Sequence, residues 1–79
     1  MNSIENEIME IIKDKAGIQG KEISLDAHFA NDLGLDSRDA VELILDLEKA
    51  FEVVIPDDEA QEIQTVRQAI EAITEKLKT

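Results

Sequence analysis

Cysteine, tryptophan and tyrosine are absent from this chain, and Phe29 and Phe51 are its only aromatic residues. Without cysteine the chain has no disulfide, no thiolate metal site and no cysteine nucleophile of its own. With so few aromatic side chains, its core must be built from isoleucine, leucine, valine and alanine. A core of aliphatic side chains is more deformable and is able to leave room for a bound molecule.

Long apolar runs are missing as well. None approaches the roughly 18 to 20 residues that a membrane-spanning helix needs. The first residues, NSIENEIME, are too acidic and too interrupted for a signal peptide. We therefore expect no membrane span, and a soluble protein in the cytoplasm.

Basic residues are scarce, since eight of them face 19 acidic ones and leave a net charge of −11. Such a charge repels nucleic-acid phosphates and anionic lipid headgroups, so we expect partners with basic patches and no nucleic acid. The mixture of 43% hydrophobic and 34% charged residues favours a compact amphipathic bundle over a disordered tail. Seventy-nine residues bury only one small core, so we expect a single domain over residues 1–79. We also expect a monomer.

Apolar residues repeat at helical spacing in the first half of the chain. Isoleucines at 4, 8, 11 and 12 predict a first helix from about Ser3 to Lys15, with Asn2 and Glu5 as a capping box. A second core stripe predicts a helix from about Ser37 to Phe51; its members are Ala40, Leu43, Ile44, Leu47 and Phe51.

Two further helices are predicted after residue 55. Pro56 fits the first turn of a short helix, with acidic residues near its positive end and Ala60 and Ile63 facing inward. Thr65 and Gln68 form a second capping box, which starts a last helix that reaches about Lys76. Its predicted core face is Val66, Ala69, Ile70, Ile73 and Leu77. The fold class is therefore all-α, a small four-helix bundle with three longer helices and one short one.

A long connection separates the first two helices. Gly17 and Gly20 open it, and it runs to Leu35 with little periodicity, which is long for so small a domain and typical of a functional loop. Its apolar residues are expected to pack on the bundle, each contributing about 1.5 to 3 kcal/mol. They are Ile18, Ile23, Leu25, Phe29, Leu33 and Leu35.

The segment NDLGLDSRDAVEL, residues 31 to 43, is the most informative part of the chain. Gly34 predicts a turn into the second helix, with Asp36 as N-cap, Ser37 in the first turn and Asp39 at the third helical position. Free backbone N–H groups and the positive end of the helix dipole surround a hydroxyl at that position. Ser37 is thus able to hold an esterified phosphate, which makes it a candidate attachment point.

Catalysis and specific metal binding are both disfavoured. An activated Ser37 would need a base, yet His28 is the only histidine and there is no G-x-S-x-G motif. His28 fits a surface or loop-packing role better. No register of the acidic residues satisfies an EF-hand loop, so we predict no metal site, although loose divalent binding stays open.

The pattern DLGxDSxDxVEL closely resembles the attachment loop of acyl carrier proteins. The resemblance extends along nearly the whole chain, through FEVVIPDDEAQEI and the closing TVRQAIEAI. It implies that Ser37 carries a covalent 4′-phosphopantetheine arm, placed there by a phosphopantetheinyl transferase, with Asp36 and Asp39 flanking the attachment. It also implies a non-catalytic carrier that shuttles acyl thioesters between synthase enzymes of fatty acid or related lipid or polyketide synthesis.

A partner surface and an acyl pocket follow from the same resemblance. Val41 and Leu45 fall off the core stripe and are expected to face solvent; the alternative is that one of them is the edge of the core. The implied surface for basic partner patches comprises Arg38, Val41, Glu42, Leu45, Asp46, Glu48 and Glu52; a merely solvated helix face is the alternative. The implied pocket comprises Phe29, Leu33, Ala40, Ile44, Leu47, Ile55, Ala60, Ile63 and Ala69; plain core packing is the alternative.

Arg38 departs from the family pattern, which usually has an aliphatic residue after the serine. Lys49 likewise interrupts an acidic run where fatty-acid carriers commonly have glutamate. Both weaken an assignment to the housekeeping fatty acid synthase and favour a specialised pathway. An aminoacyl or peptidyl carrier, as in peptide synthesis or cell-wall alanylation, and a non-carrier acidic adaptor remain as alternatives.

Overall fold

Four α-helices make up most of the described chain. The structure is a computed structural model that describes residues 3–18 and 22–78. Within those ranges no strand occurs, and one isolated antiparallel bridge pairs His28 with Thr65. The helices are α1 (Ser3–Ala16), α2 (Ser37–Phe51), α3 (Asp57–Glu62) and α4 (Val66–Lys78). This confirms the predicted bundle of three longer helices and one short one, with a long loop between the first two.

The core lies where α1, α2 and α4 contact one another. The side chains at its centre are completely buried; they are Ile8, Ile12, Leu43, Leu47, Val66, Ala69 and Ile73. Their spacing of three and four residues places them on one face of each helix, as predicted. Ile4 and Leu77 were predicted in the same stripes but are exposed. Each lies in a terminal turn of its helix, beyond the part that neighbouring helices cover.

Local capping signals fix the helix ends closely. Gln68 N–H donates to Thr65 Oγ1 at 3.2 Å, and Thr65 N–H donates to Gln68 Oε1 at 3.1 Å, so the predicted capping box at α4 is confirmed. Pro56 is the N-cap of α3, one residue before the first turn in which it was predicted. Asn2 and Gly20, which also carried predictions, lie outside the described residues.

The long loop is held against the start of α4. Val66 N–H donates to Ala27 O at 3.1 Å, and Arg67 N–H donates to Leu25 O at 2.8 Å. These carbonyls satisfy N–H groups of the first helical turn, which have no acceptor inside the helix. Loop side chains also enter the core, and the buried ones are Ala27, Phe29 and Leu35. The expectation that this loop packs on the bundle is therefore confirmed for Ile23, Leu25, Phe29, Leu33 and Leu35. Ile18 is half-buried and lies outside the core cluster.

Candidate functional site

The turn before α2 places Ser37 as the first residue of that helix. Gly34 adopts a φ of +71°, a left-handed conformation that glycine tolerates without strain. Leu35 N–H donates to Phe29 O at 2.9 Å, which anchors the turn on the loop. Asp36 then caps the helix, because its Oδ1 accepts from Asp39 N–H at 2.8 Å. The predicted N-cap is confirmed, and it fixes the position of Ser37.

The surroundings of Ser37 suit an attached anion. Its side chain is exposed, and no residue in the ranges 3–18 and 22–78 hydrogen-bonds its hydroxyl. Asp36 already engages the N–H groups of Asp39 and Ala40, whereas those of Ser37 and Arg38 lack an acceptor among the described residues. Free N–H groups at a helix start attract negative charge. A phosphodiester on Ser37 therefore fits this end of α2.

Arg38 and Asp39 complete the immediate environment of the serine. Arg38 is exposed and forms no ion pair with another described residue. Asp39 is half-buried. The chain thus has an exposed cation one residue after Ser37, while the carboxylate of Asp36 is occupied by the cap.

His28 holds the loop in place. Its Nε2 lies 3.3 Å from Gln64 Oε1, and its backbone N–H donates to Asp32 Oδ2 at 2.7 Å. Within the described chain it forms no hydrogen bond with Ser37. This geometry agrees with the loop-packing role predicted for His28, and it supplies no base for Ser37.

A groove of about 650 Å³ opens beside Ser37, between α2, α3 and the long loop. Ser37 is both a lining residue and exposed, so it lies where the groove meets solvent. Of the predicted pocket residues, those that line the groove are Phe29, Ala40, Ile44, Ile55, Ala60 and Ile63. Leu47 and Ala69 lie instead in the closed core, and Leu33 packs against its edge.

Several lining residues were missed by the sequence reasoning. Leu35 is buried at the groove, and Gln61 and Gln64 add polar groups to its wall. Val41 and Leu45 line the groove too, although they were predicted as a solvent-facing stripe of the partner surface and not as pocket residues. That second apolar stripe and the pocket implied by the family resemblance were the sequence signals that pointed toward this opening.

Val41 and Leu45 do face solvent, as their spacing predicted. Their exposed fractions are 58% and 48%. Val54, in the connection between α2 and α3, is 76% exposed and was not singled out in the sequence. An apolar ridge therefore lies along the open side of α2.

Glu48 forms part of the groove wall. Its Oε2 accepts from Ile55 N–H at 2.6 Å, a charge-assisted bond that joins α2 to the segment before α3. Glu48 was predicted as part of the partner surface, with a merely solvated helix face as the alternative. The structure shows that its carboxylate also binds this chain's own backbone.

Glu42 and Asp46 lie on the side of α2 that faces α1. Lys15 Nζ is 3.4 Å from Glu42 Oε1 and 3.2 Å from Asp46 Oδ2. The hydrogen bond with Asp46 is the main cause that raises the pKa of Lys15 above its usual 10.5. Glu52, the remaining acidic residue of the predicted surface, is exposed and ends α2 in a left-handed conformation with φ of +56°.

Two absences hold for residues 3–18 and 22–78. No three histidine or carboxylate side chains come together in a grouping that suits a metal ion. None of the helices there is long and apolar enough to cross a membrane.

A known sequence family and similar known proteins match most of this chain. The family described as "Phosphopantetheine attachment site" matches residues 6–73. An acyl carrier protein found in two strains of Porphyromonas gingivalis is 45% identical over 78 residues, covering 99% of this chain and 100% of the relative. An acyl carrier protein of Amoebophilus asiaticus is 44% identical over 77 residues, covering 98% of this chain and 96% of the relative.

A solved structure has the same fold. It is a chain from Mycobacterium tuberculosis described as a candidate acyl carrier protein, which superposes with a TM-score of 0.85 at 28% identity. The match covers 91% of this chain and 96% of the other. The four helices and their connections are therefore shared over nearly the full length of both.

Proposed function

Because this chain belongs to the phosphopantetheine-attachment family of acyl carrier proteins, we propose that Ser37 bears its 4′-phosphopantetheine arm. The family membership makes the protein a non-catalytic carrier with a covalently attached arm. The observation that supports Ser37 is its exposed hydroxyl on the first residue of α2, at the opening of the groove. The family match to residues 6–73 supports a single carrier domain over residues 1–79.

The residues at the start of α2 suit the attachment. Transfer from coenzyme A joins the Ser37 oxygen to the pantetheine phosphorus and breaks the pyrophosphate bond of coenzyme A. The hydroxyl proton and 3′,5′-ADP leave, and Ser37 is left with a phosphodiester. The helix end contributes about 0.3 to 1 kcal/mol toward a negative group at such a position. Arg38 adds an exposed cation, while Asp36 and Asp39 flank the attachment and Asp36 fixes the helix start. When bound, the arm supplies a thiol that holds an acyl group as a thioester.

The groove is proposed to shelter the acyl chain. Its volume of about 650 Å³ and its floor of apolar side chains suit a hydrocarbon. Ser37 lines the same groove, so an arm attached there is able to fold back into it. An apolar floor favours acyl cargo over aminoacyl or peptidyl cargo, and an adaptor without an arm does not fit the family.

We place the partner surface on α2 and its C-terminal end. Its proposed members are Arg38, Val41, Glu42, Leu45, Asp46, Glu48 and Glu52, which combine an apolar ridge with negative charge. Carriers of this family meet transferases and synthases, and a net charge of −11 suits basic patches on such enzymes. The proposed pathway is fatty acid synthesis or a specialised lipid or polyketide route, with a monomeric carrier in the cytoplasm, where coenzyme A is available.

Attachment is tested by mass. The protein is incubated with coenzyme A and a broad-specificity phosphopantetheinyl transferase, and its intact mass is measured. We expect the wild type and Ser24→Ala, which changes an exposed loop serine, to gain one phosphopantetheine group. Ser37→Ala should stay unmodified yet keep its helical circular dichroism. An unchanged wild-type mass, or a gain by Ser37→Ala, would contradict the assignment.

A further inference from the structure

Lys15 on α1 contacts two carboxylates of α2 at once. Its Nζ lies 3.2 Å from Asp46 Oδ2 and 3.4 Å from Glu42 Oε1. The lysine side chain is 23% exposed, against 51% for Glu42 and 47% for Asp46. The cation is therefore the most enclosed member of the group, held between the helices, while both carboxylates still reach solvent.

The two carboxylates are one helical turn apart and share one side of α2. Glu48 is engaged elsewhere by the Ile55 amide. Each acidic member of the proposed partner surface that lies within α2 thus already has a partner inside the molecule. A basic patch that approaches α2 meets carboxylates that are partly neutralised.

We infer that Lys15 is a specificity-determining residue, which competes with the cationic side chains of partner enzymes for Glu42 and Asp46. This rests on the proposed function, in which α2 is the partner surface. Because Lys15 belongs to the same chain as the two carboxylates, its effective concentration beside them is high. A partner's cation must displace it, so the net gain in binding free energy is only the difference between two similar ion pairs. Partners that depend on Glu42 and Asp46 are disfavoured, and partners that rely on the Val41 and Leu45 ridge are selected.

Lys13 provides a matched control on the same helix. It carries the same charge two residues earlier and forms no ion pair with another described residue. Lys13→Met and Lys15→Met change the net charge equally. A difference between them therefore reports the specific contact and not the overall electrostatic field of the protein.

The first measurement is the KM and kcat of phosphopantetheine transfer to each variant. Exposed ion pairs are weak, so we expect Lys15→Met to lower KM by up to about fivefold with kcat unchanged. Lys13→Met should change KM by well under twofold. Equal shifts in the two variants, or a higher KM for Lys15→Met, would overturn the inference.

The second measurement is a mutant cycle with Glu42→Gln and Asp46→Asn. Competition predicts that this double change raises KM more in the Lys15→Met background than in the wild-type background, because only there are the carboxylates free. An equal rise in both backgrounds means that Lys15 does not compete. Lys15→Gln gives the same comparison if circular dichroism shows that Lys15→Met does not fold.

The endpoint mass separates this inference from the proposed function. If neither the wild type nor any variant gains the arm, the assignment of Ser37 fails. If all of them load fully but the cycle is additive, the arm is attached as proposed and only the competition by Lys15 is wrong.

Discussion

The two sides of α2 bear different kinds of interaction. On the side toward α1, Glu42 and Asp46 share one lysine in solvent-accessible ion pairs. On the side toward α3, Val41 and Leu45 edge a groove whose wall is closed by the bond between Glu48 and Ile55. The ion pairs on the side toward α1 are weak and screened by salt, so a competing charge is able to displace them. The side toward α3 is held by apolar packing and by a hydrogen bond to the backbone. Such contacts keep the walls of a binding groove in place.

The largest expected effect contrasts the buried stripe of α2 with its exposed ridge. Leu47 is completely buried, whereas Val41 is 58% exposed. We expect Leu47→Ala to lower the free energy of unfolding by about 2 to 5 kcal/mol because it leaves a cavity. Val41→Ala should change it by less than about 0.5 kcal/mol. Urea unfolding of both variants tests this, and comparable losses would mean that the ridge packs in solution.

A smaller effect compares one carboxylate from each side. Glu48→Ala leaves the amide of the buried Ile55 without its acceptor, which we expect to cost about 1 to 3 kcal/mol. Asp46→Ala breaks an exposed ion pair and should cost about 0.2 to 1 kcal/mol. Thermal unfolding in low and moderate salt distinguishes the two variants. Salt should reduce the destabilisation caused by Asp46→Ala and leave that of Glu48→Ala unchanged. If the two costs are equal, the groove wall does not depend on Glu48.

These contrasts show which features the sequence was able to predict. The start of α2 was predicted because its signals are local: Gly34 turns the chain, and Asp36 caps a helix whose apolar stripe follows at once. Ser37 occupies its predicted place for the same reason. The capping box of Thr65 and Gln68 is equally local.

The groove could not be predicted in the same way. Leu47 and Leu35 are both apolar residues expected to pack inside the bundle, and only the path of the long loop decides that Leu35 lines the groove while Leu47 lies in the core. The bonds of Glu48 to Ile55 and of Lys15 to Asp46 join separate elements. The sequence does not distinguish a glutamate that binds a backbone amide from one that is solvated.

A substitution at the C-terminal end of α2 is expected to stabilise the protein. Glu52 ends the helix with φ of +56°, and its N–H donates to Glu48 O. A non-glycine residue pays a steric cost in that conformation, which glycine avoids. We expect Glu52→Gly to raise the free energy of unfolding by about 0.5 to 1 kcal/mol.

The control for that change is the end of α1, where Gly17 has φ of +72°. Apart from its two chain neighbours, no atom of residues 3–18 and 22–78 lies within 4 Å of a Cβ placed at Gly17, so Gly17→Ala tests the backbone cost. We expect this variant to melt at a lower temperature than the wild type. A lower melting temperature for Glu52→Gly as well would show that the glutamate side chain contributes more than its backbone strain removes.

The smallest expected effect concerns the pH dependence of the side toward α1. The hydrogen bond with Asp46, followed by the charges of Asp46 and Glu42, raises the pKa of Lys15 above its unfolded value of 10.5. A raised folded pKa means that the stabilisation is fully present below that value and is lost as the pH rises through the folded pKa. The difference in melting temperature between wild type and Lys15→Met should therefore be constant near neutral pH and should shrink only above about pH 10. A difference that stays the same through the alkaline range would show that Lys15 stabilises the α1 side by the packing of its methylene stem and not by its charge.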